Sequence, residues 1–231
     1  MKTIGILGGV GPETTSHVYH SIINLFRKSQ LKRYPSIVIY NLPFPFVIEK
    51  EVIIDGINSH KMIPYLIRGA KILEKAGADF GILPCNTLHK YIERIRRVVK
   101  IPFLSILDES ASRLRIMRVK TVGILATETT AQDKLYDKIL REAGINVLYP
   151  TRREQDEINR IIVEILNGKK TKLQKGKIRK ICSSLYKRGV GAILLACTDL
   201  QIITSHIHTP ALIIDTTEIL IRASVRELTS K

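Results

Sequence analysis

The sequence predicts an α/β protein made of two similar halves, each on a parallel sheet, and three observations predict it. Short runs rich in Ile, Val and Leu alternate with amphipathic stretches along the whole chain. The runs are continuously apolar rather than alternating, as strands covered on both faces require. The chain also resembles itself: residues 3–9 read TIGILGG and 121–127 TVGILAT, while 78–87 read ADFGILPCNT and 190–199 VGAILLACTD. A single match would reflect only the sameness of buried strands. Two matches, in the same order and at nearly equal spacing, point to a repeated unit.

In chain order the expected strands are TIGILGG (3–9), SIVIYNL (36–42), ADFGILP (78–84), IPFLSIL (101–107), TVGILAT (121–127), INVLYP (145–150), GAILLAC (191–197) and ALIID (211–215). Helical patterns fill the intervals at 13–28, 60–76, 88–99, 108–117, 130–143, 153–167, 172–188 and 216–229. Strand–helix alternation implies right-handed crossovers between parallel strands. The first half is expected to span 1–103 and the second 104–207. A C-terminal helix within 208–231 is expected to pack back on the first half. Related by a pseudo-twofold axis, such three-layer halves would enclose a cleft.

Composition narrows the function classes. The chain has 231 residues, 45% hydrophobic and 25% charged, which suits a globular protein and not a disordered one. No apolar run approaches the roughly 20 residues that cross a bilayer. The first residues, MKTIGILGGVGPE, lack the pattern of a signal peptide. Three cysteines with no Cys-x-x-Cys spacing suggest neither a zinc site nor a disulfide framework, so a reducing, cytoplasmic setting is expected. Lys plus Arg number 37 against 21 Asp plus Glu, for a net charge of +16. That raises a nucleic acid or an anionic substrate as partner. The densest basic run, KKTKLQKGKIRK (169–180), carries no interleaved aromatics on which bases could stack. It reads as a solvated helix face, and no nucleic-acid or membrane partner is expected.

Two of the cysteines end matched strands, as Cys85-Asn86-Thr87 and Cys197-Thr198-Asp199. Ligands of open α/β sheets bind at the carboxyl ends of strands, where helix N-termini point. A thiol at such a turn has its pKa lowered by helix N–H groups. Two such thiols, one on each side of a small molecule, suit inversion of a carbon stereocentre. One base removes a proton from one face, and a second acid delivers a proton to the other. Asn86, Thr87, Thr198 and the N–H groups after each Cys are placed to hold a carboxylate and support the carbanion. Cys182 differs: with Ile178, Ile181 and Leu185 at helical spacing, it reads as core.

Other motifs carry less. GGVGPE (8–13) lacks the Gly-Lys-Ser/Thr of a Walker loop and the third Gly of a dinucleotide loop. Pro12 and Glu13 fit instead the first turn of a helix. His206 and His208 form an H-x-H with no third ligand nearby, so no metal is expected. His89 lies one turn after Cys85, near the expected chemistry.

GGVGPETT (8–15), PCNTLH (84–89), ATETT (126–130) and ACTDL (196–200) resemble, in order and spacing, the four signature stretches of the aspartate/glutamate racemase family, which includes hydantoin racemases. The resemblance implies a cofactor-independent amino-acid racemase with its active site between two similar α/β domains. It implies that Cys85 and Cys197 are the acid–base pair and that Asn86, Thr87, Thr127 and Thr198 bind the α-amino acid end. Gly9 to Gly11 would line the cleft floor, and Asp199, where many relatives have Glu, would tune the thiol or bind the amino group. Dimers are common in the family, so a homodimer is expected. Relatives acting on aspartate carry a basic clamp, often Arg, in the loop after the second strand. Here that loop is NLPFPFVIEKE (41–51), whose only basic residue is Lys50, and a second basic position appears as Leu166. A pocket floored by Phe44, Pro45 and Phe46 would suit neutral or bulkier amino acids. Hydantoin racemisation, cis–trans isomerisation of an unsaturated diacid such as maleate, and a basic non-catalytic binding protein are the alternatives.

Overall fold

The computed structural model describes residues 1–28, 33–54, 56–169, 171–204 and 207–230. The chain folds as two compact units. One comprises Met1–Lys50, Asn58–Glu109 and Thr217–Lys231; the other comprises Glu51–Ile57 and Ser110–Thr216.

The first unit runs β1 (Thr3–Gly8), α1 (Pro12–Arg27), β2 (Ser36–Asn41), α2 (Phe46–Glu49), α3 (Ile63–Lys75), β3 (Phe80–Ile82), α4 (Ile92–Arg96), β4 (Phe103–Leu104) and the start of α5 (Ile106–Ile116). Its four strands are all parallel, in the order β2-β1-β3-β4. Five of the six residues of β1 are buried, as a central parallel strand requires. Ile4, Ile6, Phe80 and Ile82 of the strands pack with Val18, Ile22 and Phe26 of α1.

The second unit runs from α5 through β5 (Thr121–Ala126), α6 (Glu128–Gln132), α7 (Asp137–Glu142), β6 (Asn146–Leu148), α8 (Arg152–Leu166), α9 (Lys172–Lys187), β7 (Ala192–Ala196), α10 (Gln201–Thr204) and β8 (Leu212–Asp215). The strand order is β6-β5-β7-β8, again all parallel. Each sheet therefore repeats the other, and the self-similar segments are the two central strands of each. From Thr217 onward, the final helix α11 (Thr216–Thr229) returns to the first unit. There Leu220, Ile221 and Leu228 join the cluster around Ile4 and Phe80.

Helices α8 and α9 both open on capping boxes, Thr151 with Glu154 and Thr171 with Gln174. Ile158, Ile161, Ile162 and Ile165 of α8 meet Ile178, Ile181, Cys182 and Leu185 of α9 in one core. The cap at Thr171 sets which face of the basic run turns outward. Gln174 and Ile178 are buried, whereas Lys172, Lys175, Arg179 and Lys180 are not. Lys170 lies outside the described residues.

Several expected elements differ in detail. The helix expected at 88–99 opens as a 3-10 turn, Thr87–Tyr91, before α4. The helix expected at 130–143 breaks into α6 and α7, because Lys134 at φ 46° turns the chain and carries Tyr136 fully into the core. Part of the loop at 41–51 forms α2 and enters a π-helical stretch, Lys50–Ile54. No described helix is long and apolar enough to cross a membrane.

Candidate active site

In each sheet the chain leaves its first strand in one direction for the neighbouring edge and in the other for the remaining two. The two central strands therefore flank a switch point, at which open α/β sheets bind ligands beyond the carboxyl ends. The first unit's switch point lies between β1 and β3, and the segments leaving it are Gly9–Val10–Gly11 and Leu83–Thr87. The second lies between β5 and β7, and the segments leaving it begin at Thr127 and at Cys197-Thr198-Asp199. Every sequence-predicted site residue falls on one of these four segments. Gly9, Gly11, Cys85, Asn86 and Thr87 share one unit; Thr127, Cys197, Thr198 and Asp199 share the other.

The glycine loop is held tightly. The Gly9 amide donates to Thr15 Oγ1 at 3.0 Å, and that hydroxyl donates to the Gly11 carbonyl at 3.2 Å. Gly9 takes φ 91°, and Gly11 at φ 56° leads directly into Pro12, the first residue of α1. Pro12 and Glu13 thus stand in the first helical turn, as their chemistry suggested.

After β3, the Cys85 amide donates to the Leu83 carbonyl at 2.8 Å. Cys85, Asn86 and Thr87 are all buried, at 6%, 2% and 3% exposure. After β7, Cys197 and Thr198 are buried while Asp199 is half-buried, and the Cys197 thiol donates to Asp199 Oδ2 at 3.7 Å. Thr127 caps α6 by accepting the Thr130 amide, and its hydroxyl donates to Thr130 Oγ1 at 3.0 Å. The strand end before it is braced from α8. There Gln155 donates to the Ala126 carbonyl at 2.9 Å and to Asn159, which in turn donates to Glu128. Asn159, Arg152 and Gln132 as donors hold the Glu128 carboxyl below its ordinary value, against the opposing effect of its own burial. Sequence reasoning missed Gln155 and Asn159, for which no motif gave a signal.

Cys182 is fully buried among Ile178, Ile181 and Leu185, and burial pushes its thiol up to about 12. It is core.

His89 is 1% exposed. Its Nε2 lies 3.0 Å from the Ile106 amide, and its Nδ1 lies 2.7 Å from the Cys85 carbonyl. An amide N–H can only donate, so Nε2 must be bare and the ring proton must sit on Nδ1, donating to Cys85. Burial, the largest cause, lowers its pKa to about 4, with the Cys85 bond opposing and Arg96 adding to the fall. The ring therefore works neutral. Between its ordinary 6.5 and about 4 the unfolded chain binds a proton here that the folded chain does not, so stability drops as pH falls through that window. The expected loss is about 3 kcal/mol at pH 4. Urea melts from pH 7 to 4, compared with a His89→Asn variant that cannot titrate, should show it; parallel curves would refute it.

The expected apolar floor is corrected. Phe44 packs edge-on against Tyr65, with ring centroids 6.2 Å apart, but Phe46 is 88% exposed and walls nothing. Pro45 is extended and Phe46 opens α2, so the chain changes direction between Phe44 and Phe46, and the Phe46 ring turns outward. Among the described residues, no three His, Cys, Asp or Glu side chains are grouped as a metal would need. His206 lies outside those residues, so the H-x-H reading is confined to His208.

Comparison with known proteins agrees on one family. Residues 7–224 match the profile of the family described as Asp/Glu/Hydantoin racemase. A broad specificity amino-acid racemase of Bacillus subtilis is 33% identical over 229 residues, covering 96% of both chains. Among solved structures, an aspartate racemase homologue from Pyrococcus horikoshii aligns with TM-score 0.83 and 32% identity over 100% of both chains. The aspartate racemase of Picrophilus torridus aligns with TM-score 0.81 and 27% identity, over 100% of this chain and 96% of its own.

Proposed function

We propose, for a chain that belongs to the Asp/Glu/hydantoin racemase family, that it inverts the α-carbon of amino acids with Cys85 and Cys197 as its two acid–base groups. One observation carries the reading. In each repeated unit a thiol follows the end of a central strand at its switch point and is followed directly by buried or half-buried polar side chains. The third cysteine lies in a hydrophobic core and takes no part.

In the forward direction the Cys85 thiolate takes the α-proton, and its electron pair becomes the new S–H bond. The C–H pair is left on the α-carbon as a carbanion conjugated with the carboxylate. Cys197 then gives its proton to the opposite face and is left as thiolate. Turnover exchanges the protonation of the two sulfurs, and the reverse reaction runs from that state. Asp199, accepting the Cys197 S–H, holds the resting thiol protonated, and the S–H turns from it to the carbanion when Cys197 acts as the acid. Asn86, Thr87, Thr127 and Thr198 bind the substrate's amino-acid end, with Gly9 and Gly11 backing it. The scheme asks nothing of pyridoxal phosphate or a metal. Thiols that form no disulfide in both roles suit a reducing cytoplasm. The partner is a small amino acid, and the assembly is read as a homodimer, to be checked by sedimentation.

The substrate is read as broad and mainly neutral rather than aspartate. Supporting this are the absence of Arg from 41–51, the exposure of Lys50, Leu166 at the second clamp position, and the broad specificity ascribed to the Bacillus subtilis relative. Single enantiomers of acidic, neutral and basic amino acids, incubated in heavy water, test it. Inversion with α-deuterium uptake should be fastest for neutral substrates. Turnover of aspartate or glutamate alone would overturn the substrate reading, and no inversion of any would overturn the activity.

A further inference from the structure

Cys85 sits at the tip of a turn whose backbone is fixed from both sides. Its amide donates to the Leu83 carbonyl, and its own carbonyl accepts the Nδ1–H of the buried His89 ring. We propose that His89 is the positioning residue for Cys85, a neutral strut that ties the thiol-bearing turn to the first amide of α5. The inference deepens the two-cysteine reading and rests on it.

The strut is specified by its two ends. Ile106 opens α5, so its N–H has no partner within the helix, and His89 Nε2 supplies one. That bond fixes the tautomer, and the tautomer fixes the other bond: Nδ1–H must donate, and the Cys85 carbonyl is 2.7 Å away. Both partners belong to the first unit, so the strut needs nothing outside it. The charged groups that act on the ring are Arg96 of α4 and Asp108 of α5. They lie 3.4 Å apart as an ion pair, and each offsets the other's effect on the ring. His89 itself is sealed from solvent and cannot exchange a proton with a substrate. What it can do is hold the Cα–Cβ direction of Cys85, leaving the thiol only its side-chain rotation. It also occupies the Cys85 carbonyl, whose free lone pair would otherwise oppose a nearby thiolate.

Two neutral substitutions separate the two ends. Asn at 89 places an amide where Nδ1 lies, so H89N can still donate to the Cys85 carbonyl. Gln reaches to where Nε2 lies, so H89Q can still accept from Ile106. We expect H89Q to lower kcat by about 10- to 100-fold with KM within about threefold, the signature of a misplaced group. H89N should recover about tenfold of that loss. In parallel, iodoacetamide labelling read by peptide mass spectrometry follows the Cys85 thiol without any turnover. Its midpoint should rise by about half a pH unit in H89Q and return toward the wild-type value in H89N, with Cys197 unmoved in both. Equal effects of the two variants, or a wild-type Cys85 labelling profile in folded H89Q, would overturn the proposal. If the wild-type protein inverts no amino acid, the racemase reading fails, and the labelling profile alone still decides the strut.

Discussion

Replacing either Cys85 or Cys197 by Ser is expected to lower kcat for inversion by about 10³- to 10⁴-fold, the range for losing a positioned acid or base. Serine keeps the size and the hydrogen bond but not the acidity, so each hydroxyl remains protonated where a thiolate is needed. The two variants should differ in what survives. With Cys85 replaced, Cys197 can still take a proton from the enantiomer that presents it, and α-deuterium appears without inversion. With Cys197 replaced, the other enantiomer exchanges. Cys182→Ala is the internal control, since that side chain lies in the core of the second unit and should cost stability while leaving kcat within about twofold. Chiral chromatography and mass spectrometry in heavy water read both quantities. Full inversion by either active-site variant would eliminate the two-base scheme.

Gly9→Ala should unfold the protein earlier by about 6–12 °C, the shift that follows from a loss of about 3 kcal/mol in a chain this long. Two costs add at this position. Its φ of 91° is a conformation that L-residues resist, worth about 1–2 kcal/mol. A Cβ there would stand 2.7 Å from the Leu42 amide nitrogen, and backbone cannot yield as a side chain can. That nitrogen is itself fixed by donating to the Gly8 carbonyl at 3.0 Å. Overpacking of this kind costs about another 1–3 kcal/mol. Gly77 isolates the first cost from the second: its φ is 84°, yet nothing lies within 4 Å of the added Cβ. Gly77→Ala should therefore lower the melting temperature by only about 2–4 °C, for roughly 1 kcal/mol. Calorimetry that finds the two alanine variants equally stable would remove the steric argument. The Gly9 variant should also lose activity beyond its loss of stability, because the loop it tightens leaves the same sheet edge as Cys85.

Much of this was legible in the chain. Apolar runs marked all eight described strands, most plainly the buried central ones β1, β3, β5 and β7, because strands covered on both faces leave no polar alternation to read. The repeated order of TIGILGG with TVGILAT, and of ADFGILPCNT with VGAILLACTD, named the central strands of both sheets. Pro12 and Glu13 marked the start of α1, and the spacing around Cys182 marked a core residue, because helix period and helix caps are local. The break between α6 and α7 was not legible. It depends on Tyr136 being carried into a core whose other members lie far along the chain. Phe46 misled for a related reason: an apolar side chain in an apolar segment reads as a pocket wall until its direction is known.

The sequence by itself determined the α/β class, the eight strands in order, and the presence of a thiol after the same strand in each repeat. All of these follow from periodicity and from residues adjacent along the chain. Tertiary structure decided which strand ends become neighbours. It set β1 beside β3, and so brought the loop of Gly9 and the turn of Cys85 to one sheet edge. It likewise joined Gln155 to the end of β5 and His89 to the amide of Ile106, 17 residues away. The physical reason is the same in each case. A buried donor must find an acceptor wherever packing supplies one, and that choice is made by the folded chain and not by the spacing of its residues.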